Sequence, residues 1–261
     1  MDMTYFNAEK TRDNLVQWIR DWFEKNGPTS KAVLGISGGK DSTIVAALCA
    51  RALGKERVLG VLMPNGVQKD IDDSRAVCRS LGIPNITINI EESYKGVVNG
   101  VLNGLDSIYL NGTNTLSEQT LINLGPRLRM TTLYAVSQTV GGRVINTSNK
   151  SEAMTGYFTR WGDECGDMKP LINLLKNEVV AIGLTMPEIP RDLVEKAPSD
   201  GLTGKTDEDK IGFSYDALDT YLRGRGGNEG DVEQKIEARI FSTMFKRKPI
   251  PAFDPWKGLW P

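Results

Sequence analysis

Ser37-Gly38-Gly39-Lys40-Asp41-Ser42 has the residue types and spacing to do chemistry on an anion. Adjacent glycines let a backbone approach a phosphate closely and adopt positive φ. Ser37 and Ser42 offer hydroxyls and Lys40 a positive charge. Asp41 is the odd member, because a carboxylate beside a phosphate is repelled unless a cation lies between them. That makes Asp41 a candidate Mg²⁺ ligand, with the metal bridging to phosphate. The simpler role, an acid serving the dipole at a helix start, competes with it. The pattern is neither the GxxxxGK[ST] mononucleotide loop nor the GxGxxG dinucleotide loop.

A second acid, Glu152, follows a short apolar run as Asp41 does, and at a helix start it too has the simpler role. Taken alone, Arg127 and Arg129 read as a solvated or interface helix face, and Lys246 to Lys248 as a basic tail. Asp163 and Asp167 lie beside glycines, where turn-forming Asp is common. The chain holds no histidine, which excludes a Ser-His-Asp triad, a Cys-His dyad and any His-containing zinc site. The three cysteines, Cys49, Cys78 and Cys165, form no CxxC pair and point to a reducing compartment.

These groups need elements to position them. Leu15, Trp18, Ile19, Trp22 and Phe23 recur at helical spacing and predict a helix over 4–26, with those side chains as its core face. Ala32 to Ile36 reads as a buried strand and Ser42 to Leu53 as the helix after the Gly-rich turn. Strands follow at 57–63, 85–90 and 143–147, with helices at 70–81, 91–102, 174–184, 214–222 and 229–245. The stretch 115–140 predicts two helices or a kinked one, broken at Gly125-Pro126. Alternating strand and helix with short turns predicts an α/β fold, a parallel sheet flanked by helices on both faces. Ligands collect at the carboxyl ends of such strands, which would put Asp41 and Glu152 on one rim. Residues 187–212, rich in Pro, Gly, Ser, Thr and charge, predict a long loop, a lid or a disordered segment.

The length, 261 residues, suits a single domain, 1–261, with a mobile loop at about 187–212 and a C-terminal tail at about 246–261. Hydrophobic content is 39% and charged content 25%, as in ordinary soluble proteins. With a net charge of −1, no bulk field favours nucleic acid or an anionic membrane. No apolar run approaches the ~20 residues that span a bilayer. The polar N-terminus has no signal-peptide core. A cytoplasmic location is expected.

In its setting after a strand, SGGxDS resembles the pyrophosphate loop of the ATP pyrophosphatase superfamily, whose members cleave ATP between the α and β phosphates. Downstream text resembles one branch, the NAD synthetases of the short, ammonia-using type. Asn123 to Met130 is similar to their N-x-x-x-R-x-R-M helix and Asn146 to Glu152 to their G-T-x-N-x-S-E segment. Gly156 to Asp163 resembles G-[FY]-F-T-K-[YW]-G-D, with Arg160 in place of the frequent lysine. Lys169-Pro170-Leu171, Leu175-Lys176 and the tail around Lys246 to Pro249 and Phe253 to Trp256 fit in order. Glu164-Cys165 replaces a frequent glycine pair, and Phe245 stands where a histidine often precedes the tail lysine.

The resemblance implies roles. Gly35, Ile36, Ser37, Gly38, Gly39, Lys40, Asp41 and Ser42 would hold the ATP phosphates, with Thr147, Lys176 and Ser199 as further ATP contacts. Asp41 and Glu152 would bind Mg²⁺ and, with Lys176, form the catalytic set. Arg127, Arg160, Asp167 and Lys246 would bind deamido-NAD. The implied reaction adenylates the nicotinate carboxylate and displaces AMP with ammonia to give NAD. Free ammonia is the expected nitrogen source, or ammonia from a separate glutaminase. A homodimer joined through the 115–140 region is implied as well. The rivals are another ATP pyrophosphatase, such as a GMP synthetase subunit or a tRNA-modifying enzyme, and a non-catalytic nucleotide-binding protein.

Overall fold

The computed structural model describes residues 6–68, 71–106, 115–195, 206–224, 230–253 and 255. Among these, no helix is long and apolar enough to cross a membrane.

Helix α1 (Ala8–Asn26) starts under Asn7, whose side chain accepts from the Lys10 amide, and buries Val16, Ile19 and Phe23. Leu15 and Trp22 pack partly against the core, whereas Trp18 is exposed. The predicted face is therefore corrected at Trp18. The buried stripe runs 16, 19, 23, and Trp18 lies off it by one step of the helix.

Four parallel strands form the sheet: β1 (Ala32–Gly35), β2 (Val58–Leu62), β3 (Asn85–Thr87) and β4 (Arg143–Val144). Their order is β3-β2-β1-β4. Each is shorter than the sequence predicts, because pairing stops where the chain leaves for the rim. Past β4 one further parallel bridge joins Ile145 to Met168. The two faces follow the period-2 rule. Ala32 and Leu34 turn toward α1, α2 (Lys40–Leu53), α3 (Ile71–Leu81), α7 (Lys176–Leu184) and α8 (Arg191–Glu195). Val33, Val61 and Val144 turn the other way, onto Met130 and Leu133 of α5 (Glu118–Thr139). Helix α4 (Glu91–Asp106) packs on α5 and leaves Val97 and Val101 exposed, as α5 leaves Leu121 and Ile122.

One expectation is narrowed and one is corrected. The 115–140 region takes the single-helix alternative, with Pro126 inside the helix, and is not two helices. The Gly162 backbone passes close to this proline: a Cβ at 162 would stand 3.0 Å from Pro126 Cβ. Nor is 187–212 loop throughout. Its described parts include α8 and α9 (Asp207–Ile211), and Leu193 and Val194 are buried. Those two side chains supply the apolar anchor that the Pro, Gly and charge content conceals; residues 196–205, with Ser199, lie outside the described set. A satellite cluster completes the fold, joining Ile211 and Phe213 to α10 (Tyr215–Leu222) and to Ile236 of α11 (Gly230–Ser242).

Candidate functional site

The chain visits β1, β2 and β3 in turn and then returns to place β4 on the far side of β1. The connections leaving β1 and β4 therefore diverge, and a crevice opens at their carboxyl ends.

The loop after β1 is the Gly-rich turn. Gly38 sits at φ +78, and a Cβ there would meet Asp73 Cβ at 2.9 Å and the Ser74 amide nitrogen at 3.1 Å. Gly39 occupies the cap of α2 and has no side chain to satisfy the helix's first amides, so that helix end is suited to an anion. The serines brace the turn: Ser37 and Ser42 hydroxyls lie 3.1 Å apart, and Ser42 Oγ donates to the Gly39 carbonyl at 3.0 Å. Gly38→Ala is expected to cost about 1–2 kcal/mol of stability from the left-handed backbone alone, read as a shift in the urea midpoint. An unchanged midpoint would show that the turn has another conformation available.

The loop after β4 is held by Asn146, whose Nδ2 donates to the carbonyls of Asp163 and Cys165 while its Oδ1 accepts from the Ser148 amide. Asn149 then caps α6 (Lys150–Thr155) in a reciprocal box with Glu152. One carboxylate oxygen of Glu152 accepts from the Asn149 amide at 3.3 Å. The other accepts from Lys176 Nζ at 3.0 Å. Lys176 also donates to Asp41 Oδ2 at 2.6 Å, and Asn149 Nδ2 reaches Asp41 Oδ1 at 3.3 Å. Asp41, Glu152 and Lys176, which come from the starts of α2, α6 and α7, thus meet at one point.

Lys176 has a side-chain exposure of 5%, against 17% for each acid. Burial works against its ammonium, but Asp41 and Glu152 outweigh that and hold its pKa well above the ordinary lysine value. Burial pushes the Glu152 carboxyl up, and the Asp41 charge adds to this while Lys176 opposes it. Burial lowers the Lys40 pKa, with Lys176 contributing in the same direction. The position of Lys176 is itself fixed from below. Its backbone amide donates to Ser151 Oγ at 3.0 Å, and Ser151 donates to Asp219 Oδ1 at 2.5 Å. Asp219 Oδ2 accepts from the Asn177 amide at 3.0 Å.

The remaining sequence candidates lie in different settings. Gly35 ends β1, Ile36 is buried behind the turn, and Thr147 is half-buried just past β4. Arg127 Nε donates to the Arg160 carbonyl at 3.3 Å. The Arg160 guanidinium lies 4.6 Å from the centre of the Trp161 ring, and Trp161 holds φ +68. Asp167 is occupied by the fold, accepting from Tyr134 OH at 3.1 Å and the Val144 amide at 2.8 Å. Lys246 donates to the carbonyls of Gly156 and Phe158, both at 2.7 Å. Arg129 is tied to the Met63 carbonyl at 3.0 Å.

Sequence reasoning missed Asn149, Ser151, Tyr215 and Asp219. The Asn149-x-x-Glu152 spacing was a readable capping signal. Ser151 fell within the Asn146 to Glu152 segment without a role assigned to it, and nothing local marked Tyr215 or Asp219. Burial pushes the Cys49 thiol up to about 12 and the Cys78 thiol up to about 11, so neither is a thiolate nucleophile at neutral pH.

Comparison with known proteins gives concordant findings. The family described as NAD synthase matches residues 11–250. An NH3-dependent NAD synthetase of Pyrococcus furiosus is 41% identical over 221 residues, covering 84% of this chain and 79% of that protein. The solved NMN synthetase of Francisella tularensis superposes with a TM-score of 0.84 at 30% identity, over 95% of this chain and 99% of that one. An NH3-dependent NAD synthetase of Campylobacter jejuni, solved with a nitrate ion, superposes with a TM-score of 0.73 at 27% identity, over 95% and 99% of the two chains.

Proposed function

We propose a role for each site residue on one premise: the chain belongs to the NAD synthase family. It is a C–N ligase that amidates deamido-NAD to NAD with ATP and ammonia. The observation that carries the assignment is the Lys176 ammonium seated between Asp41 and Glu152 beside the Gly-rich turn. This corner handles phosphate by exchanging partners for one cation.

The α2 amides behind Gly38 and Gly39 bind ATP phosphates, with Ser37, Ser42, Lys40 and Thr147 around them. Lys176 turns from the carboxylates to a phosphate oxygen and offsets charge that builds as pyrophosphate leaves. The nicotinate carboxylate is already an anion, so no general base is required to form its bond to the α-phosphorus. Arg127 and Arg160 offer charge to the dinucleotide phosphates. Lys246 holds the backbone leading to Arg160, and Asp167 ties Tyr134, on the helix that carries Arg127, to β4. Ammonia then adds to the acyl carbon and AMP departs, which demands a site from which water is excluded.

Asp41 and Glu152 fit Mg²⁺. They are two hard oxygen donors already sharing one cation, and Mg²⁺ takes one or two carboxylates and completes its shell with water and phosphate. When bound, it would supply charge neutralisation along the triphosphate. The exposed strip Val97, Val101, Leu121 and Ile122 suits a second copy of the chain.

Purified protein given deamido-NAD, ATP and ammonium chloride is expected to form NAD and AMP in equal amounts, and only with Mg²⁺ present. Absence of AMP would overturn the reading. Sedimentation of the same sample reads the dimer, which a monomer would remove. The high superposition on an NMN synthetase favours a second reading, in which the acceptor is nicotinate mononucleotide. Equal concentrations of mono- and dinucleotide in that assay decide between them.

A further inference from the structure

Among the described residues, the Tyr215 hydroxyl is the buried side-chain polar atom that finds no hydrogen-bond partner. The residue is 4% exposed and lies at the start of α10 in the satellite cluster with Ile211, Phe213 and Leu218. Its amide donates to Glu208 Oε1 at 2.8 Å. Its ring lies 5.2 Å from Lys176 Nζ, so the side chain borders the phosphate corner. The charges around the phenol are Glu152, Lys176, Asp207 and Asp41, and burial, with Glu152 next, holds it in its protonated, donating form.

A phenylalanine would fill the same space and offer the same ring face to the ammonium. The hydroxyl therefore adds nothing to this arrangement except a cost, because a buried donor without an acceptor loses about 1–3 kcal/mol. The nearby carboxylates take their donors elsewhere: Asp41 and Glu152 receive Lys176, Glu152 also receives the Asn149 amide, and Asp207 receives the Tyr157 hydroxyl. None of them accepts from the phenol, so its acceptor is sought in a ligand. The ligand that brings unpaired anionic oxygens to Lys176 is a polyphosphate.

We propose that the Tyr215 hydroxyl is a substrate-contacting donor that bonds a phosphate oxygen of ATP alongside Lys176. The proposal rests on the reading that the triphosphate occupies this corner.

Tyr215→Phe tests it. The variant is expected to melt at or above the parent's temperature without ligand, since it loses only an unsatisfied group. Its calorimetric affinity for a non-hydrolysable ATP analogue should weaken about tenfold, the low end for a bond to a charged partner. kcat/KM for ATP should fall by a similar factor, with KM for deamido-NAD unmoved. Analogue affinity and ATP kinetics within twofold of the parent would overturn the proposal. So would a lower melting temperature, which would show the hydroxyl satisfied inside the fold. Parent protein that releases no pyrophosphate with deamido-NAD would instead defeat the functional reading.

Discussion

Lys176→Met is expected to lower AMP formation with deamido-NAD by about 10²–10³-fold, the scale of losing one preorganised charge partner at a reacting centre. Methionine keeps the length and apolar body of the side chain and removes the charge. Asp41 and Glu152 then lose the cation that each meets within 3.0 Å. Two facing acids cannot both stay ionised cheaply, so Glu152, already pushed upward by burial, takes up a proton. Lys176→Arg should not rescue, because the site encloses its cation almost completely (5% exposure) and a planar guanidinium has a different shape. Single-turnover release of AMP is the measurement, and a Met variant within tenfold of the parent would remove Lys176 from the chemistry.

Asp219→Ala should be the most destabilising of these changes, at about 2–5 kcal/mol, since a buried carboxylate with two donors is removed. The Ser151 hydroxyl and the Asn177 amide both lose their acceptor. Burial pushes the Asp219 carboxyl up, and those two donors push it back down. Activity should fall beyond the loss of folded protein, because Ser151 also receives the Lys176 amide. Asp219→Asn should cost less: its oxygen still serves the Asn177 amide, while the Ser151 proton is left without its acceptor. Urea unfolding is the readout, and an alanine variant within about 0.5 kcal/mol of the parent would show the network to be dispensable.

Much of this was legible in the sequence. The parallel sheet was, because short strand-like runs alternate with helices along the chain. So was the Gly-rich turn, whose residue order dictates its geometry. Glu152 could be placed beside Asp41 because both follow strands of the same sheet. The support beneath them could not be read. Asp219 is bonded to Ser151 from 68 positions away, and no local pattern separates it from an exposed helical acid. Tyr215 looks like any aromatic on a helix face. Pro126 left one helix or two open, because nothing local decides whether a helix continues through a proline. Trp18 misled because large apolar residues also lie outside the buried stripe. The middle of 187–212 reads as loop by composition, but Leu193 and Val194 anchor it.

The clamp on α6 has a consequence for the order of synthesis. Lys246 closes on the carbonyls of Gly156 and Phe158, and Arg247 on those of Ala153 and Met154. Residues made roughly a third of the chain later thus fasten the far end of the short helix that begins under Asn149 and carries Glu152. A nascent chain that has passed Lys176 already has both acids and their shared lysine, but the helix between them is not yet fastened. The ribosome must add Lys246 and Arg247, about 70 residues beyond Lys176, before the far end of that helix is held in this way.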